Sequence, residues 1–339
     1  MFDFTVLKKL LEINKNTVMC PVLGCSRSVP LMKDDARRSL DSFLEGSGSD
    51  DTTFDRYFCS DHGIYITPTT FAYRDLTDNL LRPSEEGRAL EGVMSVKREN
   101  APLHYEDSEE AFTWNVFRFL ERAGLVDNFV SSVANVPLRS RPVVYWSYSR
   151  EESGLFSELG KTRVLFGERA FHGSEPDLII VTDNALFMIE AKLAPGYNRS
   201  GGGFGLTKQA GTQKGYVLGC GIWFSKVFAS DYKAFVSDEE FDLMRLWLLG
   251  SWMARSMRLD FFLVNLAPSE VQINLEMDFG KHIHQAGVGH FVLATWESIY
   301  SLIMEQGDCD GDSALMLEYL RNKTIGYRHG ELTKALTLF

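Results

Sequence analysis

The chain has 339 residues, of which 45% are hydrophobic and 24% are charged, and its formal net charge is −11. This is the composition of a globular protein long enough for one large domain or two. The excess of acids, 46 Asp and Glu against 35 Lys and Arg, argues against passive binding to nucleic acid, which requires clustered basic residues. Five cysteines, an odd number, do not suggest a disulfide framework.

The apolar stretches do not have the pattern of a signal peptide or of a membrane span. The first sixteen residues, MFDFTVLKKLLEINKN, carry lysines within the apolar run and predict an amphipathic helix. The most apolar predicted helix, around residues 243–253, contains Arg245 and is too short to cross a bilayer. We therefore expect a cytoplasmic protein that does not bind a membrane.

Three cysteines and a histidine near the N-terminus have the spacing of a zinc site. Cys20 and Cys25 belong to the segment CPVLGC, and Cys59 and His62 belong to the segment CSDH, which precedes alternating apolar residues typical of strands. Zinc is bound tetrahedrally by thiolates and imidazoles, and a short spacing lets one turn supply two ligands. We predict a structural zinc ion at these four residues. The alternative is two unrelated buried cysteine sites, because free cysteine is often buried.

A polar stretch with two prolines, residues 82–104, separates this N-terminal part from the rest of the chain. We place a domain junction near residue 100. This gives an N-terminal region of residues 1–100 with the zinc site and a second domain of residues 101–339.

The second domain begins with the segment SEEAFTWNVFRFLERAG, which predicts a helix with Ser108 as N-cap and Gly124 after its end. At about 100° per residue, Glu109 lies at the centre of the apolar stripe that contains Phe112, while Glu110 faces away. An acid on the core-facing stripe is unusual. The simple explanation is that Glu109 offsets the positive end of the helix dipole.

Residues 175–192, EPDLIIVTDNALFMIEAK, predict a β-hairpin, and two strand-like pieces, VVYWSY and TRVLFGERAF, precede it. Thr-Asp-Asn between the two apolar runs is typical of a turn. In a hairpin the start of the first strand lies beside the end of the second, so Asp177 meets Glu190 and Lys192. Residues 190 and 192 point to the same face. Buried carboxylates are costly unless they are paired or bind a metal, so this end of the hairpin is the candidate site. Charged residues at ordinary strand ends are the alternative.

The Pro-Asp pair, a twelve-residue gap and Glu-Ala-Lys resemble the PD-(D/E)xK nuclease superfamily, which has a restriction-endonuclease-like fold. The resemblance covers about residues 105–300. It implies that Asp177 and Glu190 bind Mg²⁺ or Mn²⁺ directly, with the carbonyl of Ala191 as a third ligand. Such hard cations prefer oxygen ligands, and one or two carboxylates suffice. The resemblance also implies that Lys192 orients the attacking water or stabilises the pentavalent phosphate.

The superfamily has a further acid on its first core helix, which joins the metal site. By position this resemblance falls on Glu109, which would act through water or hold a second ion. Glu110 is the fallback.

A glycine-rich segment after Lys192 carries Arg199, Lys208 and Lys214. It lacks the GxxxxGK[ST] spacing of a nucleotide-binding loop. We predict a mobile basic loop that grips a phosphate backbone, with a solvated linker as the alternative.

Several branches of the superfamily carry a Gln and a Tyr after the ExK strand. By this resemblance Gln213 and Tyr216 would contact nucleic acid, although their spacing is shorter than the family pattern. Gln209 is an equal candidate.

The remaining elements complete an α/β pattern. The segment EEFDLMRLWLLGSWMARSM predicts a buried helix, LDFFLVNLA a strand, HFVLATWESIYSLI a strand leading into a helix, and residues 316–339 a closing helix with a basic turn. The order predicts an α/β fold with a mixed central sheet flanked by helices, which is the restriction-endonuclease-like core that the resemblance implies, plus a small N-terminal zinc-binding region.

These features predict a metal-dependent nuclease that hydrolyses phosphodiester bonds. The resemblance implies an endonuclease that acts on DNA in bacterial restriction or defence, and it leaves open a homodimer or a partner protein from a defence system. The alternative is a zinc-ribbon module that binds nucleic acid or protein and carries an inactive nuclease-like core. A glycosidase-type use of the paired acids is disfavoured by the lysine two residues after Glu190.

Overall fold

The structure is a computed structural model. It describes residues 7–44, 52–96, 103–171, 173, 175–193, 209–237, 240–271, 275–284, 288–307 and 311–338. In this part of the chain, every helix is too short or too polar to cross a membrane.

Helices and strands are interspersed along the whole chain. The first part contains β1 (Thr17–Met19), β2 (Ser28–Pro30), α1 (Asp34–Leu44), β3 (Phe58–Cys59), β4 (Ile64–Ile66), β5 (Phe71–Tyr73), α2 (Pro83–Val96) and α3 (Glu109–Arg122). The middle part contains α4 (Val126–Ala134), β6 (Val144–Tyr145), β7 (Tyr148–Ser149), β8 (Gly154–Leu155), α5 (Ser157–Leu165), β9 (Leu178–Val181) and β10 (Ala185–Ala191). The last part contains α6 (Gln209–Val227), α7 (Tyr232–Ser237), α8 (Phe241–Met257), β11 (Asp260–Ala267), α9 (Leu275–Gly280), β12 (His290–Thr295), α10 (Trp296–Gln306), α11 (Gly311–Asn322), β13 (Thr324–Arg328) and β14 (Glu331–Lys334).

The chain divides into two compact units. The first unit comprises Met1–Arg88, Glu99–Phe119 and Gly307–Phe339, and the second comprises Ala89–Arg98 and Leu120–Gln306. This division differs from the expected single boundary near residue 100, because the C-terminal segment pairs with the N-terminal one. The Tyr327 hydroxyl donates to the Lys8 carbonyl at 2.9 Å, and the Leu332 amide donates to the Lys9 carbonyl at 2.9 Å. Pairing between chain ends is non-local and has no signature in a linear composition pattern.

The first unit is built from small antiparallel sheets. β1 pairs with β2, β3 with β4 and β4 with β5, while β13 and β14 form a hairpin. The strands predicted after the cysteine-histidine segment are therefore confirmed as β4 and β5. The amphipathic helix predicted at the N-terminus is wrong over the described residues 7–16, which form isolated bridges such as Leu7 with Val22 and Leu10 with Glu331.

A buried ion pair lies inside the first unit. Lys323 Nζ lies 3.4 Å from Glu106 Oε1, and both side chains are fully buried. The Tyr73 hydroxyl donates to Glu106 Oε2 at 2.9 Å, and Lys323 also donates to the Glu106 carbonyl. This pair connects the residue after α11 to the residues just before α3.

The second unit contains a mixed seven-stranded sheet flanked by helices, as predicted for an α/β fold. Its strand order is β12-β11-β10-β9-β6-β7-β8. β10, β11 and β12 are parallel neighbours, while β9 and the strands beyond it pair antiparallel. The predicted hairpin of residues 175–192 is confirmed, with Leu186 opposite Val181 and Ile189 opposite Leu178.

The predicted helix α8 packs against β10 and β11. Ten of its seventeen residues are buried, because one side packs on the sheet and another on α5 and α6. Gly250 permits the close approach to the sheet: a Cβ at this position would overlap the Phe261 ring and lie 2.9 Å from Met188 Sδ. Large apolar side chains from α6 and α8, with Leu186, Met188 and Leu263 from the sheet, form the core of the unit.

Two local predictions before the hairpin are corrected. The segment TRVLFGERAF, expected as a strand, contains the end of α5 and the loop after it. The segment VVYWSY is not one strand. It forms β6 and β7 around a tight turn at Trp146 and Ser147, with Tyr145 opposite Tyr148. The predicted helix at α3 is confirmed: the Ser108 hydroxyl caps it by accepting from the Ala111 amide at 3.0 Å.

Candidate functional site

Asp177 lies directly before β9, and Glu190 lies near the end of β10, so the antiparallel pairing brings both to one end of the hairpin. The Ala191 amide donates to Asp177 Oδ2 at 2.8 Å. Lys192 follows β10, and its own amide donates to the Leu266 carbonyl at 2.7 Å, which continues the pairing with β11. The three residues predicted from the motif are therefore neighbours, at the edge of the apolar core and partly exposed.

Lys192 Nζ lies 2.6 Å from Glu190 Oε1, and the Glu190 side chain is 13% exposed. Burial raises the pKa of Glu190 to about 7; the Lys192 ammonium opposes this rise, and the negative charges of Asp177 and Asp242 add to it. A carboxylate that is desolvated beside another carboxylate is the arrangement that a cation stabilises. The carboxylates of Asp177 and Glu190 thus carry more negative charge than the single ammonium of Lys192 can balance.

The turn between β6 and β7 contributes a residue that the sequence did not indicate. The Trp146 indole donates from Nε1 to Asp177 Oδ1 at 3.2 Å, and the Trp146 amide donates to the Asp177 carbonyl at 3.1 Å. Ser147 Oγ donates to Glu175 Oε1 at 3.3 Å and accepts from Arg163 at 2.8 Å. The only available signal was the tryptophan itself, because a buried indole N–H usually has an acceptor.

A second charged network lies around Glu168 in the same unit. The Tyr216 hydroxyl donates to Glu168 Oε1, Arg245 Nε lies 3.7 Å from that oxygen, and Arg163 Nε lies 4.0 Å from Oε2. Tyr216 is 2% exposed. The resemblance placed Tyr216 among the nucleic-acid contacts, and this stays a prediction; in the structure its hydroxyl donates to the buried carboxylate of Glu168.

The other residues predicted to contact nucleic acid are only partly described. Lys214 is exposed and Gln213 is half-buried on the first turns of α6. Arg199 and Lys208 lie outside the described residues. Gln209 begins α6, but its side chain is not described.

Glu109 and Glu110 begin α3, and both side chains are half-buried. Glu109 belongs to the first unit, whereas the hairpin belongs to the second. The assignment of Glu109 to the metal site therefore stays a prediction.

The predicted cysteine-histidine set is brought together in the first unit. The ligand atoms of Cys20, Cys25, Cys59 and His62 lie within 4.8 Å of one another. Cys25 Sγ lies 3.9 Å from Cys59 Sγ, and His62 Nδ1 lies 3.7 Å from Cys20 Sγ and 3.4 Å from Cys59 Sγ. Tetrahedral zinc with Zn–S bonds of about 2.3 Å requires S–S edges of about 3.8 Å and slightly shorter S–N edges. The cluster has the dimensions to hold a metal such as zinc.

Short turns position these ligands. The Cys25 amide donates to the Val22 carbonyl at 3.1 Å, and the His62 amide donates to the Cys59 carbonyl at 3.2 Å, so each segment folds back on itself. Burial raises the pKa of the Cys20 and Cys59 thiols above the usual range. Since a metal binds the thiolate, metal binding here would release protons.

Comparisons with protein-family models, with curated proteins and with solved structures found no significant match to this chain.

Proposed function

We propose that the second unit is a metal-dependent nuclease of the PD-(D/E)xK type that hydrolyses phosphodiester bonds in DNA. The observation that carries the proposal is the convergence of Asp177, Glu190 and Lys192 at one partly exposed end of a hairpin inside a mixed sheet. The element order around them supports a restriction-endonuclease-like core: the antiparallel strands β6, β9 and β10 are followed by the helix α8 and by β11, which is parallel to β10.

The donor atoms at this site fit Mg²⁺ or Mn²⁺. Carboxylate oxygens of Asp177 and Glu190 are hard ligands of the kind that these cations prefer, and the Ala191 carbonyl is adjacent in sequence. The raised pKa of Glu190 reflects burial and unbalanced negative charge, which a cation would relieve. The bound ion would lower the pKa of a water molecule and neutralise charge on the phosphoryl oxygens.

The residues of this chain supply the remaining chemistry. In the reaction one water molecule is added across a P–O bond, which leaves a phosphate monoester and a hydroxyl group. Lys192 carries an ammonium group at the site, held by Glu190 at 2.6 Å. With a cation held by the Glu190 oxygens, this ammonium would be able to donate a hydrogen bond to the attacking water or to a phosphoryl oxygen.

The proposal includes a structural zinc ion at Cys20, Cys25, Cys59 and His62. The spacing of the sulfur and nitrogen atoms suits a single metal ion. The ion is zinc and not Mg²⁺ in this proposal, because thiolate ligands favour softer metals. The resemblance to the nuclease superfamily further leads us to propose a cytoplasmic enzyme of bacterial restriction or defence, acting as a homodimer or with a partner protein.

The test is a cleavage assay on the full chain. Supercoiled plasmid, linear duplex DNA, single-stranded DNA and RNA are incubated with protein in the presence of Mg²⁺, Mn²⁺ or neither. We expect cleavage of DNA that requires the metal and that is abolished in Asp177→Asn, Glu190→Gln and Lys192→Met.

Lys161→Met is the matched control for Lys192→Met. Lys161 Nζ lies 2.7 Å from Glu158 Oε1 on the exposed face of α5, so this variant breaks a similar Lys–Glu pair away from the site. It should cleave as the wild type does. Absence of cleavage with every substrate and both metals would refute a nuclease that acts without a partner protein, and would favour an interaction module with an inactive core.

A further inference from the structure

We propose that Trp146 is a positioning residue that fixes the Asp177 carboxylate in its metal-binding orientation. The inference rests on the proposed function, because it takes Asp177 as a metal ligand. It assigns a role to a residue outside the Pro-Asp and Glu-x-Lys motif.

Both carboxylate oxygens of Asp177 accept a hydrogen bond from a group that is itself held in place. Trp146 Nε1 donates to Oδ1 at 3.2 Å, and the Ala191 amide donates to Oδ2 at 2.8 Å. Ala191 is fixed by the sheet, since it is the last paired residue of β10. An ionised carboxylate has about two acceptor sites on each oxygen. One site on each oxygen is therefore occupied, the rotation of the carboxylate is fixed, and the remaining site on each oxygen can bind a cation.

The backbone around Trp146 is unusual for its sequence. Trp146 has φ 42° and Ser147 has φ 76°, and they form the two-residue loop between the paired Tyr145 and Tyr148. Hairpin loops with two positive φ values are dominated by Asn and Gly, because a bulky side chain is strained in this region. Strained residues of this kind persist where the surroundings over-determine them, and they cluster at functional sites.

The contacts of Ser147 show what holds the turn. Its carbonyl accepts from the Phe156 amide at 2.7 Å, and its hydroxyl accepts from Arg163 at 2.8 Å. Arg163 is 1% exposed and also donates to the Ala170 carbonyl at 2.9 Å. The turn is thus anchored by a buried guanidinium group on α5. Trp146 is itself 1% exposed, so the indole that donates to Asp177 Oδ1 is packed in the interior.

Trp146→Phe tests the inference because it keeps a large ring and removes only the indole N–H donor. Trp223→Phe is the matched control: Trp223 is also buried in the second unit, and its Nε1 donates to a neutral acceptor, Ser251 Oγ, at 3.0 Å. The affinity of the zinc-loaded full chain for Mn²⁺ is measured by titration calorimetry, without a chelator, and the folding of each variant is checked by thermal unfolding.

A hydrogen bond to a charged acceptor contributes enough that its loss should weaken Mn²⁺ binding about tenfold in Trp146→Phe. Trp223→Phe should bind Mn²⁺ within about twofold of the wild type, whatever its melting temperature. If Trp146 acts through Asp177, then Trp146→Phe combined with Asp177→Asn should bind no more weakly than Asp177→Asn alone.

The outcomes separate this inference from the proposed function. A wild type that binds no Mn²⁺ would overturn both. A wild type that binds Mn²⁺, together with a folded Trp146→Phe of equal affinity, would overturn the positioning role alone. If Trp146→Phe does not fold, Ser147→Ala decides the matter, because it removes the Arg163 anchor and leaves the tryptophan intact. It should weaken Mn²⁺ binding about threefold, and unchanged affinity would overturn the inference.

Discussion

Replacing Glu190 by glutamine should stabilise the metal-free protein at pH 8 and leave its stability at pH 5 nearly unchanged. In the folded chain the pKa of Glu190 is raised to about 7, chiefly by burial. In the unfolded chain the same group has an ordinary pKa of about 4.3. The folded state therefore binds the proton more tightly than the unfolded state does.

The sign of the effect follows from this difference. Between about pH 4.3 and pH 7 the folded state holds more protons, so the free energy of unfolding falls as the pH rises through this window. Above about pH 7 the loss is complete. Glutamine at position 190 does not titrate and does not suffer this loss.

The size of the effect is bounded by the two pKa values. A difference of roughly 2.7 units at about 1.36 kcal/mol per unit gives an upper limit of about 3.7 kcal/mol. The charged Glu190 also holds Lys192 at 2.6 Å, and the glutamine amide replaces that ion pair with a weaker hydrogen bond. We expect a net gain of about 2 kcal/mol at pH 8, which corresponds to a rise in melting temperature of roughly 4–8 °C for a domain of this size.

The assay is thermal unfolding of both proteins from pH 5 to pH 8. Divalent cations are removed from the buffer by a resin and no soluble chelator is added, since a chelator would also compete for the metal that the cysteine-histidine cluster can hold. Glu158→Gln is the control, because Glu158 lies 2.7 Å from Lys161 at an exposed position, where such an ion pair contributes little to stability.

The pH dependence of the difference is the decisive result. An equal gain at pH 5 and pH 8, or a loss at pH 8, would refute the reasoning, because burial of a charged carboxylate would then not be the cause. Addition of Mg²⁺ at pH 8 should raise the melting temperature of the wild type more than that of Glu190→Gln, since a ligand stabilises the state that binds it.

Two further predictions concern the first unit. Protein purified without chelators should contain about one zinc per chain, and Cys59→Ser should lower both this zinc content and the stability of the unit, because structural zinc contributes directly to folding. The control Cys220→Ser changes a cysteine outside the cluster and should lower neither. A protein that folds intact without zinc would contradict the zinc site. Lys323→Met should lower the free energy of unfolding by about 3–5 kcal/mol in chemical denaturation, because it leaves the Glu106 carboxylate buried without its cation, and adding Glu106→Gln should recover part of the loss. A change below about 1 kcal/mol would mean that the pair is not buried as described.

The hairpin was predictable from the sequence because the information that forms it is local. Two apolar runs, a Thr-Asp-Asn turn and the strand period place Asp177, Glu190 and Lys192 together without knowledge of any other element. The cysteine-histidine cluster was predictable for a related reason: each pair of ligands lies within one short turn, and only the meeting of the two turns is non-local.

The predictions from sequence were wrong where contacts with elements distant in the chain decide which side chains are buried. The pattern of α3 indicated a single apolar stripe, but Trp114 is 1% exposed and Phe117 is fully buried, so more than one face of the helix is buried. A helix that is buried on most sides has no unique polar face, so its period cannot separate Glu109 from Glu110. The prediction of a strand at TRVLFGERAF was wrong. Thr162 and Arg163, which look like polar positions of a strand, are instead buried residues of the helix α5.

The orientation of the Asp177 carboxylate depends on information that the motif does not contain. One of its two hydrogen-bond donors, Trp146, comes from a turn 31 residues earlier in the chain, and that turn has no Asn or Gly to indicate two positive φ values. Sequence rules assign turns by residues that adopt such conformations cheaply. This turn is held instead by a buried arginine and by a hydrogen bond to a carboxylate, which rules based on local residue types do not consider. The pattern VVYWSY is therefore interpreted as a continuous strand. Backbone strain is typically retained where it serves a functional site. The unexpected positive φ values at Trp146 and Ser147 therefore favour a contribution of this turn to the site at Asp177.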